Sequence, residues 1–427
     1  MKFLFNPLRR SRANRAVLSV RRKICILVAG ALLAAPGFAA QVVEINLREE
    51  RDAYTNERGR GFDLGTTRGD QQAFFYSVKV PEGNWRVTVT FGDDAVASET
   101  TLKAESRRLL AERVSVPAGQ RETRAFVVNV RNASLQPPPK NAPGGTEVRL
   151  NDREAGSLTW DDKLTLEFSG AWPAATTLRV EPAPEAVTIF LAGDSTVTDQ
   201  RFEPAASWGQ MLPRFVRPEV AVANHAESGE TMKSFLTGLR WAKLLSAVKP
   251  GDFVLIQFGH NDSKREWPQT HAPAGSVYPA YLRAFVADVR VRGATPILVT
   301  SVHRRQFDKA GRIRNTHGAY LEDVRAVAAA EAVVLVDLAA MSAAFYEALG
   351  PEIAPRAFND GGRDVTHHNN YGAYQLAKAV VHALQGTPAA ALFTGEAAAY
   401  DPADPDPVET FSVAPSPQRS ADRPRGN

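Results

Sequence analysis

Five short apolar runs separated by amphipathic stretches fill the chain after Glu185, and this alternation constrains the fold more than any other feature. The runs are residues 187–192, 220–223, 253–258, 296–300 and 333–336; the stretches between and after them include 235–248, 278–292, 320–330 and 372–384. Strands that are apolar throughout, rather than alternating, must be buried on both faces, as in a parallel sheet covered by helices on each side. In such a sheet chemistry gathers at the carboxyl ends of the strands. The loops that follow the runs are therefore where functional side chains are expected.

The first run ends in a way that points to chemistry. Residues 188–199 read TIFLAGDSTVTD, an apolar β-type stretch that stops at Gly193-Asp194-Ser195 and presents a hydroxyl at a strand end. Taken alone, Asp194, Ser195 and Thr196 also suit an ordinary helix cap. Three further loops change that balance. Asn224-His225-Ala226-Glu227-Ser228-Gly229 follows the second run, Gly259-His260-Asn261-Asp262 follows the third, and Asp364-Val365-Thr366-His367 precedes the last amphipathic stretch. Acyl transfer needs a hydroxyl nucleophile, a base for its proton, a carboxylate to orient that base, and donors for the oxyanion. Ser195, His367, Asp364 and the pair Gly229 and Asn261 fill those positions. A glycine lets backbone approach the reacting carbonyl, and an asparagine amide donates without changing protonation. As isolated residues they read instead as a turn glycine and a loop-capping asparagine.

Asp364 and His367 stand three apart, which brings both side chains to one side of a helix-like turn, about 5–6 Å apart at Cβ. His368 is a rival base, and the Asp-x-x-His spacing selects His367. Asp364, His367, His368, His260 and Asp262 are also zinc or manganese ligand types. The chain has no His-Glu-x-x-His arrangement and no cysteine cluster, so neither a catalytic metal nor another cofactor is expected. His303, Arg304 and Arg305, after the fourth run, read either as contacts for a sugar or uronate or as a solvated basic loop.

In their order, Gly193-Asp194-Ser195, Gly229, Gly259-His260-Asn261-Asp262 and Asp364-Val365-Thr366-His367 resemble the four sequence blocks of the SGNH, or GDSL-type, hydrolases. The Gly-Asp-Ser-Thr form of the first block, Gly-His-Asn-Asp in the third, and Asp-x-Thr-His before Gly372-Ala373 look most like rhamnogalacturonan acetylesterases of carbohydrate esterase family 12. The resemblance spans about residues 186–386. It implies a flavodoxin-like three-layer α/β/α domain with Ser195 as nucleophile, His367 as base and Asp364 as its carboxylate. The implied oxyanion hole is the N–H of Ser195, the N–H of Gly229 and the side-chain amide of Asn261. One block departs from the pattern. Where that family often has Gly-Arg-Ser, this chain has Gly229-Glu230-Thr231, which reverses a charge beside the oxyanion glycine and leaves the exact polysaccharide open.

The rest of the chain divides around this region. Between residue 41 and Pro182-Ala183-Pro184, β-rich runs recur at 42–47, 73–80, 85–91, 113–116, 123–130, 147–150, 163–168 and 177–180. Turn residues such as Pro81-Glu82-Gly83-Asn84 separate them, the pattern of an all-β sandwich or jelly roll. Its place ahead of a hydrolase resembles the galactose-binding-like domains of polysaccharide enzymes. Phe74, Phe75, Tyr76, Trp85 and Trp160 are either core or stacking platforms for sugar rings. Residues 1–40 carry eight Lys or Arg and no acid, then an apolar stretch and a small-residue end at Ala39-Ala40, the pattern of a signal peptide. A dozen apolar residues is short for a membrane span of roughly 20. Without this leader Lys+Arg falls from 51 to 43 against 47 Asp+Glu, a net charge near −4, and the only cysteine, Cys25, is lost. No nucleic-acid surface is implied. The Asp-Pro-rich residues 389–427 read as a disordered tail.

The segments expected are thus a signal peptide (1–40), a β-sandwich that is a candidate sugar binder (41–184), a hydrolase domain (185–388) and a tail (389–427). The leader implies export, to the periplasm or out of the cell, and the resemblance implies an esterase that removes O-acetyl groups from pectic rhamnogalacturonan through an acetyl-Ser195 intermediate. Acetylxylan or another acetylated sugar is the alternative substrate, and a silent glycan-binding protein on the same scaffold is the alternative from another class. The partner expected is an acetylated polysaccharide or oligosaccharide, with no nucleic acid and no membrane span after cleavage; oligomeric state is left open.

Overall fold

The computed structural model describes residues 42–69 and 73–421; the leader read in residues 1–40 lies outside the described residues. Nine strands come first: β1 (Val43–Asn46), β2 (Arg60–Asp63), β3 (Phe74–Lys79), β4 (Gly83–Phe91), β5 (Ser98–Ala104), β6 (Arg108–Val116), β7 (Glu122–Val130), β8 (Lys163–Trp172) and β9 (Ala175–Pro182). They form two facing layers. Strands β2, β3, β8, β5 and β6 make one sheet, and β1, β9, β4 and β7 lie side by side in the other. Alternation along β4 turns Trp85, Val87, Val89 and Phe91 inward, where they meet Phe74, Tyr76, Leu166 and Phe168 of the opposite sheet in one core.

The later elements are β10 (Val187–Gly193), α1 (Trp208–Met211), β11 (Val220–Asn224), α2 (Met232–Thr237), α3 (Arg240–Ala247), β12 (Phe253–Gln257), α4 (Val277–Val291), β13 (Thr295–Val299), α5 (Tyr320–Ala330), β14 (Val334–Val336), α6 (Leu338–Ile353) and α7 (Asn370–Ala383). The five strands are parallel in the order β11-β10-β12-β13-β14, which is the flavodoxin-like order. Both faces are covered. Ile189 and Leu191 of β10 pack into one core with residues of α1, α6 and α7, while Phe190 and Ala192 pack into another with residues of α2 to α5. That two-sided burial is the reason the strands lack polar alternation.

At Pro182-Ala183-Pro184 the antiparallel part gives way to the parallel part without a break in the sheet. Strand β7 pairs in parallel with β11 through Val127↔Ala221 and Val128↔Val222, so nine strands form one sheet. Val127, Ala183, Ala186 and Ala221 fill the seam with small apolar side chains. The two regions accordingly belong to one compact unit.

Several elements differ from the sequence reading. The stretch 235–248 is two helices, α2 and α3, because Leu239 between them adopts φ +62°. Residues 147–150 form no strand beyond one bridge from Glu147 to Ser134. Strand β5 and most of β6 escape notice because their buried faces carry charge: Lys103 pairs with Glu167 at 2.8 Å and Arg108 with Asp199 at 2.6 Å. The largest correction concerns residues 389–421, which are ordered rather than a disordered tail. Tyr400 and Ser416 are buried, Arg217 N donates to Leu392 O and Thr394 N to Phe215 O, each at 2.9 Å. Lys378 holds Asp406 at 2.7 Å, Lys103 donates to Ala414 O at 2.8 Å, and Ser416 donates to Glu167 at 2.8 Å. Prolines fix φ and lower the entropy cost of an extended path, and side-chain partners replace the missing ladder.

Candidate active site

The site lies at the carboxyl ends of β10, β11 and β12. Gly193 closes β10 where the chain is tight: a Cβ there would come within 2.6 Å of Val197 Cγ2 and 2.9 Å of Gln257 O. Beyond it the chain makes one turn, with Val197 N donating to Asp194 O at 3.0 Å. Asp194 Oδ1 accepts from Thr196 N and Oγ1, each at 2.9 Å, and Gln200 Nε2 donates to Ser195 O at 2.7 Å. This turn fixes Ser195 from both sides.

Three predicted residues meet in a line. Ser195 Oγ lies 2.8 Å from His367 Nε2, and His367 Nδ1 lies 2.9 Å from Asp364 Oδ2. The other carboxylate oxygen accepts from Thr366 N at 2.8 Å and His367 N at 3.0 Å, so Asp364 shapes the turn that carries its own partner. Burial pushes the Asp364 carboxyl up, but the hydrogen bond and charge of His367 and the two N–H groups together hold it well below the usual carboxylate range. An ionised Asp364 accepts a hydrogen bond from the Nδ1–H of His367, which leaves Nε2 as the acceptor of the serine hydroxyl. His368 is directed elsewhere: its Nε2 meets the Tyr346 hydroxyl at 2.6 Å. Among the described residues, no group of three or more His, Cys, Asp or Glu is arranged to hold a metal ion.

The predicted oxyanion donors flank the serine's loop. Gly229 has φ +85°, a left-handed conformation that glycine adopts without cost. Among the described residues neither the Ser195 N–H nor the Gly229 N–H has an acceptor in the chain. Asn261 is buried, and its amide donates to Glu230 O at 3.0 Å. That bond uses one of two amide protons and ties the third block to the second.

Sequence reasoning did not give the contacts that hold these donors in register. Asp262 accepts from Met232 N and Gly259 N, each at 3.0 Å, and so joins the start of α2 to the turn after β12. Burial raises its carboxyl to about 7 against the pull of those N–H groups. His260 Nδ1 meets Asp194 Oδ2 at 3.1 Å, linking the third block to the first. Glu230 accepts from Arg240 Nε at 3.2 Å and Ser234 Oγ at 2.5 Å, and Arg240 also forks onto Glu154 of the N-terminal region. The charge reversal in the second block is thus answered by Arg240. Arg108 of the N-terminal region holds Asp199, and Arg107 donates to Gln200 O at 3.0 Å and Ala205 O at 2.9 Å. None of these long-range pairs has a sequence signature.

The remaining candidates separate. Phe74, Phe75, Tyr76 and Trp85 are core, whereas Trp160 is half-buried against Arg131 and His225 beside the second block. His303 is buried, and Arg305 donates to Gly362 O at 2.5 Å and steadies the Asp364 loop. Arg304 is half-buried and reaches Thr316 Oγ1 at 3.3 Å.

Comparison with known proteins places similar chains beside this one. Residues 191–376 match the GDSL-like Lipase/Acylhydrolase family. The rhamnogalacturonan acetylesterase RhgT of Bacillus subtilis is 38% identical over 212 residues, 47% of this chain and 90% of the relative. The "Probable rhamnogalacturonan acetylesterase YesY" of the same organism is 33% identical over 200 residues, 46% of this chain and 92% of the relative. A third B. subtilis protein, the uncharacterized esterase YxiM, is 26% identical over 314 residues, 68% of this chain and 80% of the relative.

Proposed function

Because the chain belongs to the GDSL-like lipase/acylhydrolase family, a family of carboxylic-ester hydrolases, we propose that it removes O-acetyl groups from pectic rhamnogalacturonan through an acetyl-Ser195 intermediate. The observation that carries this reading is the line Ser195–His367–Asp364, with contacts of 2.8 and 2.9 Å. The names of RhgT and YesY support the choice of polysaccharide.

In the proposed reaction Ser195 Oγ attacks the acetyl carbonyl as His367 Nε2 takes its proton. Asp364 stays ionised and stabilises the imidazolium that forms. Negative charge then appears on the carbonyl oxygen, where the N–H groups of Ser195 and Gly229 and the second amide proton of Asn261 receive it. Collapse breaks the bond to the sugar oxygen, which leaves with the proton from His367. Water, deprotonated by the same imidazole, attacks the acetyl-enzyme; the bond to Ser195 Oγ breaks, the imidazolium returns its proton to that oxygen, and acetate is released. We also propose that the chain is exported after cleavage near Ala39 or Ala40; N-terminal sequencing of the mature protein from the extracellular or periplasmic fraction tests this.

The test of function is acetate release from a panel of acetylated rhamnogalacturonan, acetylated xylan and a small acetyl ester. Preference for rhamnogalacturonan is expected, together with a loss of on the order of 10⁴-fold or more in Ser195→Ala. Turnover of the small ester with preference for xylan would redirect the substrate, and no turnover of any ester would leave a glycan-binding protein.

A further inference from the structure

A cavity of about 200 Å³ lies between the N-terminal region and the loops that follow β10 and β11. One wall is the segment around Asp152, Arg153 and Trp160, which precedes the part of the chain matched to the hydrolase family. The opposite wall includes Gln200, which holds the Ser195 carbonyl at 2.7 Å, and Ser228, which immediately precedes Gly229. The cavity is therefore built against the back of the two residues whose N–H groups face the reacting carbonyl.

Its lining has the chemistry of a sugar site. Two half-buried aromatic rings, Trp160 and Phe202, contribute apolar walls. The Trp160 ring is held in place by its N–H to Glu154 at 2.8 Å and by Arg131 at 4.5 Å from its centroid, so it offers contact area at little entropic cost. Polar groups of both kinds surround the rings. The Asp152 carboxylate has no hydrogen-bond or ion partner among the described residues. Arg201 donates only to the backbone carbonyls of Arg153, Ala155 and Gly156, at 3.1 to 3.5 Å, and no carboxylate among the described residues pairs with it. Glu227 is bound by Arg153 at 2.9 Å, and burial with the neighbouring Glu154 pushes its carboxyl up. Aromatic faces ringed by donors and acceptors suit a pyranose, which has apolar faces and a hydroxyl rim.

We propose that this cavity is a glycan subsite behind the Ser195 and Gly229 loops, in which the N-terminal region and those loops together hold a sugar ring of the polymer that carries the acetyl group. The proposal rests on the esterase reading above. It gives the N-terminal region a role in choosing the polymer that the matched part of the chain does not carry alone.

The test compares partially acetylated rhamnogalacturonan with 4-nitrophenyl acetate for the full chain and for Asp152→Ala, Phe202→Ala and Trp160→Ala. The quantity read is kcat/KM on the polymer divided by kcat/KM on the small ester. It is expected to fall roughly tenfold in Trp160→Ala and about threefold in the other two, chiefly through the KM for polymer. Trp160 also packs on Arg131 and His225, so if that variant fails to fold the outcome is read from Asp152→Ala and Phe202→Ala. A ratio within about twofold of the parent's in both overturns the subsite. If the parent prefers acetylated xylan, the same ratio is read on that polymer. A parent that cleaves the small ester but neither polymer overturns the subsite while sparing the esterase, and one that cleaves no ester removes the esterase reading itself.

Discussion

His367 and His368 are neighbours with opposite surroundings. One ring spans Ser195 and Asp364; the other is turned to Tyr346, and burial lowers its pKa to about 3. His367→Ala is expected to lower kcat by on the order of 10⁴-fold. His368→Ala should instead lower the melting temperature and leave kcat of the folded fraction far less affected, as paired kinetic and thermal measurements on the two variants will show. Asn261→Ala is expected to lower kcat by roughly 10²–10³-fold with a smaller change in KM, because in the proposed reaction its remaining amide proton acts once charge has developed. Asp364 supplies a pH dependence with a definite sign. Its folded pKa lies below the unfolded value of about 3.9, so its stabilisation is present above that value and is lost as pH falls through the folded one. Melting curves below about pH 4 should therefore fall more steeply for the parent than for Asp364→Asn. The meeting of Ser195, His367 and Asp364 was legible in the sequence because each sits at a fixed offset within a short block. The Asp194–His260 link was not, since it depends on how two distant loops are brought together by β10 and β12.

At the scale of elements, the loop carrying Gly229 is braced by a cation between two acids. Arg240 at the start of α3 reaches Glu230 on one side and Glu154 on the other, all three largely buried. Arg240→Ala leaves both carboxylates uncompensated and is expected to cost about 3–5 kcal/mol in denaturant unfolding. Arg240→Lys should recover only part, because an ammonium cannot reproduce the fork onto Glu154. The parallel strands were readable because each is apolar on both faces. Strand β5, SETTLKA, was not, since Lys103 points into the protein and is neutralised by Glu167 from a strand far along the chain. Helix α6 was obscured by Gly350-Pro351, where the backbone leaves helical geometry inside the run.

At the scale of the whole molecule, the N-terminal region reaches the nucleophile loop through Arg107 and Arg108, the second block through Glu154, and the parallel sheet through β7. Residues 186–427 expressed alone would leave Asp199 without its guanidinium and the β11 edge bare, so they are expected to aggregate or to melt at least about 10 °C below the full chain. Soluble expression with an unchanged melting temperature would contradict that dependence. The boundary near residue 184 was legible as a change of rhythm, but not the shared sheet, because two short parallel pairings leave no mark on composition. The same seam has a consequence during synthesis. On the ribosome β7 emerges and can pair with β4 on one side while β11 is still untranslated, so Val127 and Val128 offer an open edge for on the order of ten seconds at ordinary elongation rates. A nascent chain of this design carries an unpaired sheet edge, open to mispairing with its neighbours on a polysome, until the second half arrives.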